Sequence, residues 1–153
     1  MTSSIARLAF AGLVIAVSGL PGLAQVSGEF GTGAWTDASY VKQTAPDGTE
    51  TERETSSGSI CIDAGNNSLS AVDQTFLKPY SDRQCTISDE EFSSAGDVTT
   101  MDASIVCGPL TGNLRVHYAF SLVRVSSSFE VETGDGTTTI FNTSRWQSTG
   151  EGC

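Results

Sequence analysis

The chain has 153 residues and a formal net charge of −10, with 18 acidic residues against 8 basic ones. That balance repels nucleic acid and anionic lipid headgroups and argues against either as a partner. Hydrophobic residues make up 38% of the sequence, enough for one core in a chain of this length.

The chain opens on M-T-S-S-I-A-R, with Arg7 its one charge, followed by L-A-F-A-G-L-V-I-A-V-S-G-L. This apolar stretch is too short to span a bilayer at ~20 residues. Pro21 breaks it, and Gly22 and Ala24 stand at the small-residue positions of a cut before Gln25. The order predicts a secretory signal peptide over residues 1–24 and one domain over residues 25–153. The location it predicts is periplasmic or secreted. No cysteine sits at the cut, which argues against a lipoprotein, and no second apolar run predicts a membrane span in the mature chain.

Beyond the signal the language is that of strands, rich in Thr, Ser and Val with alternating polarity. G-A-W-T-D-A-S-Y-V-K-Q-T (33–44) is the first predicted strand, and A-P-D-G-T-E is its turn. T-E-R-E-T-S-S-G-S-I-C-I returns as a second strand, polar enough to belong at an edge. The period then changes. Leu69, Val72 and Phe76 share one face of a short predicted helix, capped by Asn67 or Ser68 and ended by Pro79.

A hairpin follows, from C-T-I-S-D-E-E-F through S-S-A-G to D-V-T-T-M-D-A-S-I-V-C, with Met101, Ala103, Ile105 and Cys107 on one face. After G-P-L-T-G-N, the run L-R-V-H-Y-A-F-S-L-V-R-V is predicted as the most regular strand, with Leu114, Val116, Tyr118, Phe120 and Leu122 pointing one way. Phe129 and Val131 face inward on the next strand, G-D-G turns the chain, and T-T-T-I-F-N-T-S-R-W-Q-S is the last strand. The predicted fold class is mainly all-β: an antiparallel meander coiling into a barrel or half-barrel, with one short helix. An immunoglobulin-like sandwich is the alternative. It is weakened because Trp35 and Trp146 both lie outside the interval between Cys61 and Cys107.

Cys61, Cys85, Cys107 and Cys153 make an even set after a signal peptide, which predicts two disulfides. Three connectivities are open. A hairpin turning near Gly96 would set Cys85 opposite Cys107, but a bond across a hairpin adds little constraint. Loop-size reasoning favours Cys61–Cys85 and Cys107–Cys153, worth about 3.5 and about 4 kcal/mol in the chain-entropy model. On this reading the helix sits in the first disulfide loop, and Cys153 latches the C-terminus.

The order of these features resembles the DUF3617 family, small secreted proteins of Gram-negative bacteria with no established function. The resemblance rests on G-x-W, then C-I before a helical insert, R-Q-C-T-I-S-D, a strand ending I-V-C, an F-E strand and a final G-E-G-C. It departs from the family at Ala34 before Trp35, at Ile60 before Cys61 and at the closing Gly-Glu-Gly-Cys. It implies export and disulfides. It implies no chemistry.

The residues themselves name no reaction. No C-x-x-C pair, one histidine and no D-x-D-x-D-G cage predict no metal and no cofactor. His117 is the only imidazole, and alternation places it opposite the apolar face. Glu130 and Glu132 share a strand face, a pair that a small hydrolase would use only across a cleft. The favoured expectation is a non-enzymatic binding or interaction module, with Trp35, Tyr118, Phe120 and Trp146 as candidates to line a site for an apolar small molecule. The alternatives are a small hydrolase using His117 or the Glu130/Glu132 pair, and an envelope-stress or inhibitor protein that acts through a protein partner.

Overall fold

The computed structural model describes residues 30–153. The predicted signal peptide, residues 1–24, lies outside the described residues. The described residues form one antiparallel sheet and one helix. The elements are β1 (Gly33–Thr44), β2 (Glu50–Ile62), α1 (Leu69–Ser81), β3 (Thr86–Ala95), β4 (Val98–Cys107), β5 (Leu110–Ala119), β6 (Leu122–Thr133) and β7 (Gly136–Ser148). The seven strands lie in the order β2-β1-β7-β6-β5-β4-β3. The sheet does not close: β2 and β3 are its two edges, as the polarity of β2 requires. This is the half-barrel form of the predicted meander, and a single sheet replaces the alternative sandwich.

The meander from β3 to β7 is built of two-residue turns. Gly96 and Gly108 open two of them with φ 60°, the left-handed conformation that a tight hairpin turn demands and that glycine adopts without strain. The third turn corrects the sequence reading. Residues 114–125 are not the single strand that their alternation predicts; the chain reverses at Phe120–Ser121. Side-chain parity switches there, from even-numbered residues inward on β5 to odd-numbered ones on β6. Phe120 is therefore 66% exposed at the bend, and Val123 and Val125 take the core positions. The turn is held from outside: Gly31 N–H donates to the Phe120 carbonyl at 2.8 Å and Ser148 N–H to the Ser121 carbonyl at 3.0 Å.

Helix α1 connects the two edges by crossing one face of the sheet. Ser68 caps it, its hydroxyl accepting from Ala71 N–H at 3.4 Å. Pro79 does not end it, as the sequence suggested, but sits in its last turn. The hydrogen bond it forfeits is to Thr75, on the exposed side of the helix. Val72, Phe76 and Leu77 are buried against Trp35, Met101, Ile105, Leu114, Val116, Val123 and Val125. Phe76 lies between two indoles, its ring centroid 5.7 Å from Trp35 and 5.3 Å from Trp146. At the far rim Gly112 lets β5 pass close to β6; a Cβ there would collide with the Ser128 carbonyl and the Phe129 ring.

Two disulfides form, but with a different pairing from the one loop size favours. Cys85 bonds Cys107 and Cys61 bonds Cys153. The first staples the open end of the β3–β4 hairpin, where Thr86 and Val106 are already partners. The second follows from topology. β7 lies beside β1, so the chain after it runs back past Ala34, whose N–H donates to the Glu151 carbonyl at 2.9 Å. Ala34 is also the partner of Cys61 on β2. Cys153 is thus latched as expected, but to the edge strand rather than to Cys107. The helix does lie between Cys61 and Cys85 in sequence, yet those two are not joined.

Candidate functional site

Rows of side chains cross the covered face of the sheet, and each changes character midway. One row runs Ser39, Ser144, Val125, Val116, Met101 from β1 to β4; the next runs Val41, Asn142, Ser127, Leu114, Ala103. The side toward β4 is apolar and fully packed. The side toward β2 is polar, and it remains open as a groove of about 400 Å³ at the C-terminal end of the helix. Its lining includes Asp37, Ser39, Arg53, Tyr80, Arg83 and Trp146.

The floor is held by a chain of hydroxyl contacts. Ser39 Oγ donates to Asp37 Oδ2 at 2.7 Å and meets Ser144 Oγ at 2.5 Å. Ser127, 1% exposed, accepts from the Tyr80 hydroxyl at 3.1 Å and from Asn142 Nδ2 at 3.2 Å. Burial pushes the Tyr80 phenol above its ordinary value; the Ser127 contact and the charge of Arg83 oppose this. The phenol therefore stays protonated, and it fixes the last turn of the helix over the polar floor. Fixed polar groups beside an aromatic wall are what a small-molecule site needs, and the volume is in the usual range for one.

A second polar contact lies deeper under the helix. The Tyr118 hydroxyl donates to Asp73 of α1. The Tyr118 ring meets Phe30 edge-on with centroids 6.0 Å apart. Burial pushes the Asp73 carboxyl up, with the Tyr118 bond partly opposing, and burial together with Asp73 pushes the Tyr118 phenol up. The folded state therefore holds the Asp73 proton to a higher pH than the unfolded chain does. Stability falls as pH rises from the ordinary carboxylate range through that raised value. Asp73→Asn is expected to remove this slope and to be neutral or stabilising at about pH 7, since its amide oxygen still accepts from Tyr118. Tyr118→Phe is expected to lower stability by about 1–3 kcal/mol, because a half-buried carboxylate loses its donor. Urea unfolding from about pH 4 to about pH 8 checks both.

The predicted site residues are not brought together. Trp35 is wholly buried, with Nε1 donating to the Gly31 carbonyl at 2.8 Å, and Tyr118 is core. Phe120 lies on an exposed turn. Of the four aromatics proposed to line a cavity, Trp146 alone lines the groove. His117 is on the outer face, its Nδ1 3.0 Å from Thr100 Oγ1 and its strand partner Arg124. Glu130 and Glu132 are exposed on that same outer face, and Glu132 accepts from Thr137 Oγ1 at 2.8 Å. None of the three lines the groove. Exposed apolar side chains are spread out: Tyr40 and Phe141 are diagonal neighbours on the outer face, Val98 and Val106 stand at opposite ends of β4, and Phe92 lies on edge strand β3. The Asp63 carboxylate lies 3.6 Å from Cys61 Sγ, but that sulfur and Cys153 Sγ are committed to their bond and offer no thiolate to a metal.

The groove residues that the sequence reading missed carried one signal. On β1 and β7 the positions that alternate with Trp35 and Trp146 are Asp37, Ser39, Asn142 and Ser144, polar residues on a face that should be core. No family model matches the chain, and no curated protein or solved structure matches it.

Proposed function

We propose that the protein is a non-catalytic binding module of an oxidising, extracytoplasmic compartment, and that the groove between β1, β7 and the end of α1 is its ligand site. The observation that carries this reading is the open polar half of an otherwise packed sheet face. A purely structural core has no use for Asp37, Ser39, Asn142 and Ser144 pointing inward beside a void. Two disulfides support the oxidising compartment. The signal-like residues 1–24 and the resemblance to DUF3617 favour the periplasm or secretion. Among the described residues no helix is long and apolar enough to cross a membrane.

A ligand with polar as well as apolar parts fits better than a purely apolar one, because Asp37, Ser39, Asn142 and Ser144 line the groove beside Phe76, Val125, Ile140 and Trp146. The test is a small-molecule fragment screen by amide chemical-shift mapping on the disulfide-bonded protein. Binders are expected to shift Asp37, Ser39, Asn142, Ser144 and the Trp146 indole together. Hits that gather instead around Phe141, or around His117 and Arg124, would move the site to the outer face and sink this assignment.

A further inference from the structure

We propose that the groove takes a small hydroxylated anion, a carboxylate or phosphate ester carried on a sugar or polyol, with Arg53 and Arg83 receiving its charge. This rests on the groove being the ligand site. The first observation is where the unpaired cations are. The chain is strongly acidic, yet two arginines line this one groove. Lys42, Lys78 and Arg115 are ion-paired with Glu50, Asp82 and Asp102, whereas Arg53, Arg83, Arg124 and Arg145 form no ion pair with any described residue; Arg124 and Arg145 are strand partners on the outer face, and Arg53 and Arg83 are the two that line the groove.

The second observation is register. β2 reads Glu50, Thr51, Glu52, Arg53, Glu54, so one parity is all acid and the other holds the arginine. Ser39 pairs with Ser56 but Tyr40 pairs with Glu54, so a bulge inserts one extra residue at position 55. With unbroken register Glu54 would stand beside Val41 and face the groove. The bulge puts Arg53 there and turns Glu50, Glu52 and Glu54 to the outer face. Bulges re-aim side chains in this way next to functional sites. Arg83 is held over the opposite wall by the tight chain reversal after α1, where its N–H donates to the Tyr80 carbonyl at 3.2 Å.

The third observation concerns the rest of the ligand. Ser39, Ser144 and Asn142 offer hydroxyl and amide groups, Asp37 offers a carboxylate, and Trp146 offers a ring face. Guanidinium groups bind carboxylate and phosphate oxygens through paired N–H donors. Donors and acceptors on the floor suit alcohol groups, and an aromatic face suits the C–H side of a sugar or polyol.

The test titrates the disulfide-bonded protein with glucuronate, glucose 6-phosphate and glucose at fixed ionic strength. Tryptophan emission and the amide shifts of Asp37, Asn142 and Ser144 report binding. At least one anion is expected to bind about ten-fold or more tightly than glucose, with those groove signals moving. The order of the two anions separates a carboxylate ligand from a phosphate ester. Arg53→Gln and Arg83→Gln are each expected to weaken the anion about ten-fold and to leave glucose unchanged. Both arginines are exposed, and an unchanged unfolding midpoint shows that each variant is folded. Glucose binding as tightly as both anions, or an unaffected double variant, overturns the proposal while leaving the groove as a ligand site. Silence of all three probes at the groove also overturns it, and the fragment screen then decides separately whether the groove reading falls.

Discussion

Cys153→Ser is expected to lower stability by about 4–5 kcal/mol, more than any other single change outside the core. The bond it removes joins residues 92 positions apart. In the chain-entropy model such a loop restricts the unfolded chain strongly, and the effect grows slowly with loop length. The folded state loses an anchor as well. Among the described residues β2 is an edge strand with β1 as its one strand partner, and the bond ties its end to the chain that follows β7. Cys61→Ser should match Cys153→Ser closely, since each variant opens the same loop. Cys107→Ser opens a loop with a separation of 22 and should cost about 3.5 kcal/mol in the same model. Urea unfolding of the oxidised variants measures all three. A Cys153→Ser protein within about 1 kcal/mol of the parent would show that the latch does not govern stability.

Phe76→Ala is expected to cost about 3–5 kcal/mol. The ring is 2% exposed and sits between Trp35 and Trp146, where it joins the helix to the sheet. Removing it takes away the transfer energy of the ring and two aromatic contacts, and it leaves a hole that backbone held by a seven-stranded ladder does not close. The hole would adjoin the groove, so water can enter and the loss should fall toward the lower part of that range. Phe76→Leu keeps much of the volume and should cost less than half as much. Thermal unfolding gives the magnitude. The spectroscopic sign is a red-shifted tryptophan emission in Phe76→Ala, because Trp146 loses its apolar neighbour. An unshifted spectrum with near-parent stability would show that the helix is held by Val72 and Leu77 instead.

The legible parts of this fold were the local ones. Leu69, Val72 and Phe76 announced the helix, and the alternation of Met101, Ala103 and Ile105 announced β4. Gly96 and Gly108 marked their turns because a positive φ needs glycine. The Phe120–Ser121 turn was hidden for the complementary reason: it uses no residue with positive φ, and it is held by hydrogen bonds from Gly31 and Ser148, far away in sequence. The disulfide pairing was hidden for the same kind of reason. It depends on β1 lying against β7, and nothing in either strand says which distant strand it will meet. The groove was half legible. Asp37, Ser39, Asn142 and Ser144 broke the apolar alternation of their strands, but alternation alone could not show that they share a floor. Arg53 could not be placed at all, since a one-residue bulge decides which face it takes.

The path of α1 from one edge of the sheet to the other sets an order on assembly. Among themselves, strands β3 to β7 pair only with sequence neighbours, so they can zip together as soon as each is made, and the Cys85–Cys107 bond can close among them early. β1 and β2 form their own hairpin but must wait for β7, the strand made after all the others, before they have a sheet to join. The Cys61–Cys153 bond therefore records a completed search rather than guiding it. Contacts of such long sequence separation are the slow ones in folding. Until they are made, Trp35 stays unburied and Phe76 lacks one of its two indole neighbours, and an oxidant acting too soon has other thiol pairings open to it.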